Sequence, residues 1–217
     1  MTADLFDTDE SPGESRLVLG TGAVLLRGFA RPVAAALHEQ VAAIVRQAPW
    51  RHMATPGGRR MSVANTNCGA LGWVSDARGY RYVPVDPSSG EPWPTLPAVL
   101  SALAGDAAAE AGFAGFVPDA CLINRYAPGT RLSLHQDRDE RDLHAPIVSV
   151  SLGLSATFLW GGMSRGDRAL RVPLHHADVV VWGGEDRLRF HGVLPVPQGE
   201  HAEWGAARVN LTFRKAG

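Results

Sequence analysis

Two histidines and an aspartate carry the clearest chemistry in this sequence. His135 and Asp137 are two residues apart, so on an extended backbone their side chains leave the same face. A histidine from a distant strand would complete a set of two histidines and one carboxylate, which leaves coordination positions open on non-haem Fe(II). His191, in the extended run Leu-Arg-Phe-His, is the best candidate for that ligand. The pair alone is weak evidence, because His-x-Asp also occurs by chance in polar turns.

The C-terminal segment, Arg208-Val-Asn-Leu-Thr-Phe-Arg214, alternates strictly between polar and apolar residues. Its polar face carries Arg208, Asn210, Thr212 and Arg214, and its apolar face is typical of a buried strand surface. Two arginines on one face can bind the two ends of a small dicarboxylate, because guanidinium groups form paired hydrogen bonds with carboxylates. The alternative is exposed charge on an edge strand, which discourages aggregation. The metal pair favours the dicarboxylate interpretation.

These segments resemble the AlkB-type Fe(II)/2-oxoglutarate dioxygenases, a family of DNA-repair demethylases. The matching segments are Asn124-Arg-Tyr126, His135-Gln-Asp137, His191-Gly, Leu71-Gly-Trp73 and Arg208-x-Asn-Leu-Thr-Phe-Arg214. The resemblance covers nearly the whole chain after the first fifteen residues. The spaced histidines and aspartate are shared by many oxygenases, whereas the Asn-x-Tyr, Leu-Gly-Trp and terminal arginine motifs are more specific.

The resemblance implies Fe(II) as metal, 2-oxoglutarate as cosubstrate and O2. The iron ligands would be His135, Asp137 and His191. Residues implied for 2-oxoglutarate binding are Asn124, Tyr126, Arg208, Asn210 and Arg214, with Arg208 on the distal carboxylate. Residues implied for substrate binding are Trp73, Tyr80 and Tyr82, and with Asp139 and Arg165 they would form the base pocket and its rim. The implied reaction is oxidative demethylation of bases such as 1-methyladenine and 3-methylcytosine in DNA, which releases formaldehyde, succinate and CO2.

Asp139 is an independent clue to the substrate. It follows Asp137 by two residues and can face the same cavity, where a carboxylate favours a cationic ligand such as a methylated base. The alternative is a surface ion pair with Arg138 or Arg141. Trp73 can stack on a planar base, as aromatic residues do on flipped nucleobases. For Trp73 and the two tyrosines, a place in the protein core is the alternative.

The order of patterns predicts a mostly β, α+β protein. Residues 1–15 form an acidic, disordered tail, and 16–217 form a single domain. A strand-like run spans 17–29, and helices span 32–47 and 95–111, the second with Thr95 as N-cap. Residues 48–94, rich in Gly, Pro and aromatics, suggest a nucleotide-recognition lid. Eight strands follow, which indicate a double-stranded β-helix jelly roll over 118–217 braced by the N-terminal helices. They are predicted at 120–127, 132–137, 146–153, 156–161, 169–174, 178–182, 188–194 and 207–214.

Composition limits the partners and the compartment. The net charge of −1 argues against a strong general nucleic-acid binder, so a phosphate-binding rim would have to be local. The arginines that could form it are Arg51, Arg59, Arg60, Arg78, Arg81, Arg131 and Arg138. Two cysteines exclude a disulfide framework, and no apolar run approaches a membrane span. We expect a cytoplasmic monomer without membrane contact.

Alkylated DNA, mainly single-stranded, is the expected partner, with RNA as a further candidate. One alternative keeps the chemistry and changes the substrate to a small molecule or a protein side chain. Another is a jelly-roll binding module without turnover. The chain departs from the family pattern at Asn65 and Asp186, which leaves the fine substrate and strand preference open.

Overall fold

The computed structural model describes residues 15–217, so the predicted tail lies outside the described residues except for Ser15. Two α-helices occupy Ala34–Gln47 (α1) and Ala98–Glu110 (α2). The strands are β1 Arg16–Gly20, β2 Ala23–Leu26, β3 Ala64–Gly69, β4 Gly72–Asp76, β5 Gly79–Val83, β6 Ala120–Tyr126, β7 Leu132–His135, β8 Ile147–Gly153, β9 Ala156–Trp160, β10 Leu170–Leu174, β11 Val179–Trp182, β12 His191–Val193 and β13 Arg208–Arg214.

The strands form two main sheets and one hairpin. The larger sheet has the order β1-β2-β11-β8-β13-β6-β3, and the smaller has the order β10-β9-β12-β7. All pairings between these strands are antiparallel, and β4 pairs with β5 alone. Apart from the neighbours β1–β2 and β9–β10, the strands that lie side by side in the two main sheets are non-consecutive in sequence, as in a jelly roll. The predicted fold class is therefore confirmed.

Two apolar layers hold these sheets. The first joins α1 and α2 to the outer face of the larger sheet, through residues such as Leu37, Leu100 and Leu211. The second fills the space between the sheets, where Phe158 packs with Trp182. The helices thus cover one face of the larger sheet and leave the other face for the cavity between the sheets.

The alternation of β13 matches these layers. Val209, Leu211 and Phe213 belong to the helix-side layer. Arg208 and Arg214 lie on the opposite face, and both are buried. Because β13 is central, between β8 and β6, the interpretation of these arginines as exposed edge-strand charge is wrong.

Two sequence-based boundaries are also wrong. The run 17–29 is not one strand but the hairpin of β1 and β2, which turns at Thr21 and Gly22. Thr95 does not cap the second helix, because α2 begins at Ala98 with Pro97 in the extended N-cap position. A residue before proline is disfavoured in the helical conformation, so Pro97 delays the start of the helix.

The segment between the helices contributes β3 to the larger sheet and then forms the β4–β5 hairpin. A small apolar cluster of Ala48, Met53, Val74 and Trp93 supports it. Gly72 is required at its position, because a Cβ there would lie 2.3 Å from the Trp93 ring.

Two further features concern membranes and thiols. Within residues 15–217, neither helix is long and apolar enough to cross a membrane. Cys68 and Cys121 are buried free thiols at paired positions of β3 and β6.

Candidate active site

Strand pairing brings the predicted metal ligands together. His191 on β12 lies directly opposite His135 on β7, and their ring centroids are 4.4 Å apart. Asp137 follows the end of β7, with its Oδ1 3.5 Å from His135 Nε2 and its Oδ2 3.7 Å from His191 Nε2. One ligand atom from each residue lies within 4.8 Å of the others, which is a spacing that can hold one metal ion.

The hydrogen bonds of the two histidines select the tautomer that a metal needs. His135 Nδ1 lies 2.9 Å from the Ser133 carbonyl oxygen, and His191 Nδ1 lies 3.0 Å from that of Arg189. A carbonyl only accepts, so each Nδ1 carries the proton and each Nε2 keeps its lone pair for the metal. This arrangement is typical of metal-binding histidines.

Electrostatics keep Asp137 and His191 in their metal-binding states. Burial would raise the pKa of Asp137, but Arg214 and hydrogen bonds with both histidines hold it well below its usual value. Burial and the neighbouring His135 lower the pKa of His191. Burial opposes protonation of His135, yet its hydrogen bond with Asp137 leaves the pKa raised. The site therefore offers an ionised carboxylate and a neutral His191 to a cation.

The triad opens into a cavity of about 730 Å³ between the sheets and the β4–β5 hairpin. Every residue predicted for the site lines it: His135, Asp137, His191, Asn124, Tyr126, Arg208, Asn210, Arg214, Trp73, Tyr80, Tyr82, Asp139 and Arg165. The volume lies within the range of roughly 300–1,000 Å³ typical of small-molecule sites.

Arg208 lies in this cavity with unused hydrogen-bonding capacity. Its side chain is 1% exposed, and Nη2 donates to Ser151 Oγ at 3.1 Å. Its Nε and Nη1 have no hydrogen-bond partner among residues 15–217. The guanidinium lies over the Tyr126 ring, 4.9 Å from its centroid, and burial lowers the pKa of Arg208. A buried cation with unpaired donors requires an anion.

Arg214 differs from Arg208, because its charge is already paired. Its Nη2 donates to Asp137 Oδ2 at 2.6 Å, and its Nε lies 3.0 Å from Glu140 Oε1. The two arginines therefore have different roles. Arg208 can donate hydrogen bonds to a carboxylate of a ligand, and Arg214 holds the metal-binding aspartate. Asn210, between them on β13, donates to Ser149 Oγ and to the Val150 carbonyl oxygen.

Aromatic rings and a carboxylate form the other wall of the cavity. Trp73 on β4 stacks on Tyr80 of β5, with ring centroids 5.5 Å apart and an interplanar angle of 11°. Trp73 Nε1 donates to Asp139 Oδ2 at 2.9 Å. Asp139 thus accepts from the tryptophan and lines the cavity, as the pocket interpretation of this residue requires.

Comparison with known proteins identifies the family. The family model described as 2OG-Fe(II) oxygenase superfamily matches residues 22–214. The chain belongs to this superfamily. It is 54% identical over 213 residues to "Alpha-ketoglutarate-dependent dioxygenase AlkB" of Salmonella typhimurium, covering 98% of this chain and 97% of that one. It is 53% identical over 214 residues to the Escherichia coli protein of the same name, covering 99% and 98%.

A solved structure supports the same conclusion. "The structure of OsALKBH1" aligns with a TM-score of 0.80 and 29% identity, covering 92% of this chain and 99% of that one. Superfamily membership together with the identity to the two AlkB proteins makes the chain an Fe(II)/2-oxoglutarate-dependent dioxygenase of the AlkB type, as predicted. It also removes the binding-module alternative.

The residues present fit both groups that this family uses. The convergent Nε2 atoms of the two histidines and the ionised Asp137 suit Fe(II). The unpaired donors of Arg208 suit the distal carboxylate of 2-oxoglutarate.

Sequence reasoning missed two buried residues beside the metal site. Glu140 and Arg187 form an ion pair of 3.1 Å, with side chains 2% and 3% exposed. Arg187 Nη1 also donates to the Asp137 carbonyl oxygen at 2.6 Å. No spacing in the sequence connects positions 140, 187 and 214, so no pattern could have indicated this network.

The remaining predicted positions have distinct surroundings. Arg165 donates to the Leu134 carbonyl oxygen and lies over the Phe190 ring at the edge of the cavity. Asn65 lines the cavity beside Asn124 and is buried with its Oδ1 unpartnered. Asp186 has a supporting position in the fold, where it accepts from the Gly22 amide and pairs with Arg189.

Proposed function

We propose that this dioxygenase removes methyl groups from alkylated nucleobases in DNA, with 1-methyladenine and 3-methylcytosine as substrates. The observation that carries this proposal is the wall of stacked aromatic rings and a carboxylate that shares one cavity with the metal triad. Bases stack on aromatic side chains, and a carboxylate favours the positive charge of a methylated base over an uncharged normal base. These lesions also block Watson–Crick pairing, so the flipped base costs less to extract from a duplex.

The protein groups have separate tasks in this mechanism. Arg208 binds the distal carboxylate of 2-oxoglutarate, assisted by Tyr126 and Asn210. Arg214 and Asn124 act at its metal-binding end. Trp73, Tyr80 and Tyr82 orient the base, and Asp139 recognises its charge. When bound, Fe(II) with 2-oxoglutarate and O2 supplies the oxidant for the N-methyl C–H bond. The hydroxylated methyl group then leaves as formaldehyde, and the cosubstrate leaves as succinate and CO2.

Residues 48–94 act as the nucleotide-recognition lid in this proposal, and 118–217 act as the catalytic core. Part of the expected phosphate-binding rim is already neutralised. Arg51 pairs with Asp86, and Arg81 pairs with Asp76, while the largely exposed Arg78 contacts the same Asp76 and adds an uncompensated positive charge. The arginines left for phosphate contacts are Arg59, Arg60, Arg78, Arg131 and Arg138. Because such contacts supply most nonspecific affinity, binding should be weak and dependent on salt. We expect a single strand to be preferred, because the target base is then already unpaired.

The test uses anaerobic protein loaded with Fe(II) and 2-oxoglutarate. Oxygen and a short single-stranded oligonucleotide with one 1-methyladenine are then added, and the mass of the product oligonucleotide is measured by mass spectrometry. We expect loss of one methyl group that requires both iron and 2-oxoglutarate and is abolished in His135→Ala. The unmethylated oligonucleotide is the matched control for substrate.

The alternative substrate is a small molecule or a protein side chain. The neutralised lid arginines favour this alternative, because they reduce the positive charge available to a nucleic acid. An untouched oligonucleotide together with continued succinate formation would support it. An oligonucleotide of the same sequence in RNA tests the wider substrate range. The cytoplasmic location and the monomeric state stay predictions from the sequence.

A further inference from the structure

Glu140 occupies an unusual place beside the metal site. It is not one of the metal ligands, yet its carboxylate is 2% exposed and contacts three other side chains of the site. Oε1 accepts from the Tyr82 hydroxyl at 2.8 Å and lies 3.0 Å from Arg214 Nε. Oε2 accepts from Arg187 Nη2 at 3.1 Å. Both oxygens are therefore used, and each faces an arginine.

The two arginines connect Glu140 to Asp137. Arg214 Nη2 donates to Asp137 Oδ2 at 2.6 Å, and Arg187 Nη1 donates to the Asp137 backbone carbonyl at 2.6 Å. The aspartate is thus held by its side chain and its main chain, and both donors are held by Glu140. Arg187 Nε also donates to the Ala145 carbonyl oxygen at 3.0 Å, which fixes that guanidinium to the backbone just before β8.

The charges of this network balance. Asp137 and Glu140 supply two negative charges, and Arg187 and Arg214 supply two positive charges, all within the buried part of the site. Loss of one partner in a buried network leaves an uncompensated charge, which costs more than the pair contributes. The geometry of Asp137 therefore depends on a carboxylate at position 140.

Tyr82 extends the network to the substrate side. It lies on β5 and lines the cavity, and its hydroxyl shares Glu140 Oε1 with Arg214. A substrate that moves the Tyr82 ring changes the hydrogen bond on the same oxygen that orients Arg214. One carboxylate oxygen thus connects the base-binding wall to the group that holds Asp137.

We infer that Glu140 is a positioning residue, which fixes Asp137 through Arg214 and Arg187 and transmits substrate binding at Tyr82 to the metal site. The inference rests on the proposed function in one respect, because it takes Asp137 as a metal ligand and Tyr82 as a substrate contact. The effect of Glu140 on metal binding, the metal half of the inference, can be tested without substrate. The effect of substrate binding on the metal site, the transmission half, requires substrate.

The first experiment measures Co(II) affinity of the metal-free protein by its absorption spectrum. Glu140→Gln keeps the shape and removes the charge, and it should weaken Co(II) binding roughly 10–100-fold, as loss of a residue that supports a metal ligand does. Glu140→Asp keeps the charge and should recover part of that loss. The matched control is Asp178→Asn, because Asp178 is also a buried carboxylate that binds an arginine, Arg27, but it does not line the cavity.

Asp178→Asn should lower the unfolding midpoint and leave Co(II) affinity unchanged. If Glu140→Gln lowers the midpoint as the control does and binds Co(II) within about twofold of the unmodified protein, Glu140 supports folding only and the inference is wrong. If Glu140→Gln does not fold, Glu140→Asp decides the metal half. If Glu140→Asp then binds Co(II) as tightly as the unmodified protein does, the metal half of the inference is wrong.

The second experiment follows the Co(II) spectrum while the 1-methyladenine oligonucleotide is added. The unmodified protein should show a spectral change, and Tyr82→Phe, which lacks only the hydroxyl, should lose it. A full spectral change in Tyr82→Phe would refute transmission through Glu140. If the unmodified protein neither demethylates the oligonucleotide nor changes its spectrum, the proposed substrate and the transmission are both wrong. The Co(II) affinities of the Glu140 variants still decide the metal half separately.

Discussion

Substitution of Arg208 by methionine should have opposite effects on the ligand-free and the ligand-bound protein. The guanidinium is 1% exposed, and two of its nitrogens have no hydrogen-bond partner among residues 15–217. A buried charge without compensation costs several kcal/mol. Methionine keeps much of the volume over the Tyr126 ring and removes that cost. The ligand-free variant should therefore unfold at the same temperature as the unmodified protein or a higher one.

Binding of 2-oxoglutarate should change in the other direction. The distal carboxylate can accept from Nε and Nη1, and hydrogen bonds to charged groups contribute about 1.5–3 kcal/mol each. Loss of two such bonds at the lower end costs about 3 kcal/mol, which corresponds to a factor of roughly 100 in affinity. We expect KM for 2-oxoglutarate to rise about 100-fold, while the affinity for the metal is unchanged.

The assay combines succinate formation at varied 2-oxoglutarate with thermal unfolding in the presence and absence of the cosubstrate. The matched control is Arg27→Met, because Arg27 pairs with Asp178 away from the cavity. That variant should lose stability and keep its KM for 2-oxoglutarate. An Arg208→Met protein that is much less stable without ligand, or that keeps its KM, would refute the assignment of Arg208 as the free partner of a carboxylate.

Substitutions at three other positions separate the tasks within the cavity. Asp139→Ala should retain 2-oxoglutarate turnover without substrate and lose demethylation at least tenfold. Succinate and formaldehyde release, measured in parallel, report the two activities. If the variant keeps both, Asp139 is not part of the base pocket. Trp73→Phe keeps a stacking ring but removes the Nε1–H bonded to Asp139, so KM for the oligonucleotide should rise only several-fold. Trp73→Ala also removes the ring and should raise this KM further. An equal rise in the two variants would argue against stacking. His191→Ala should remain inactive when Fe(II) is restored after chelation, whereas the unmodified protein should recover; recovery of the variant would exclude His191 as a ligand.

Much of this site follows from short-range patterns. The alternation of Arg208–Arg214 correctly separates the helix-side residues from the cavity residues, because side chains of a strand alternate between its faces. His191 does lie on a strand, as its first residue, but residues 188–190 before it are not extended strand, so β12 is shorter than the predicted 188–194. In β13 a local rule of the backbone determines the direction of the side chain.

Long-range ionic contacts could not be predicted in the same way. Glu140, Arg187 and Arg214 come from separate parts of the chain, and each is an ordinary charged residue in its own segment. Burial of their charges is a consequence of the complete fold, because only then does each meet its counter-ion. The pairing of Arg51 with Asp86 was missed for the same reason. The pairing of Arg81 with Asp76 is a local contact across the β4–β5 hairpin.

The histidines show most clearly what spacing cannot decide. His176-x-Asp178 and His201-x-Glu203 repeat the spacing of His135-x-Asp137, and the rings of His176 and His201 are only 4.5 Å apart. Yet His176 Nδ1 accepts from the Gly153 amide, and His201 Nδ1 accepts from the Glu203 amide.

An amide only donates, so the lone pair of each of these Nδ1 atoms is used, and in the neutral ring the proton is on Nε2. The carboxylate oxygens of Asp178 are also occupied, because they accept hydrogen bonds from Arg27 and from the backbone amides of Gly28 and His175. At His135 and His191 the backbone presents carbonyl oxygens instead, and Nε2 is left with a free lone pair. Among these four histidines, the backbone group beside Nδ1 therefore separates the predicted metal ligands from the other pair. A carbonyl there is not sufficient by itself, because His52 Nδ1 also lies 2.9 Å from the Met61 carbonyl oxygen.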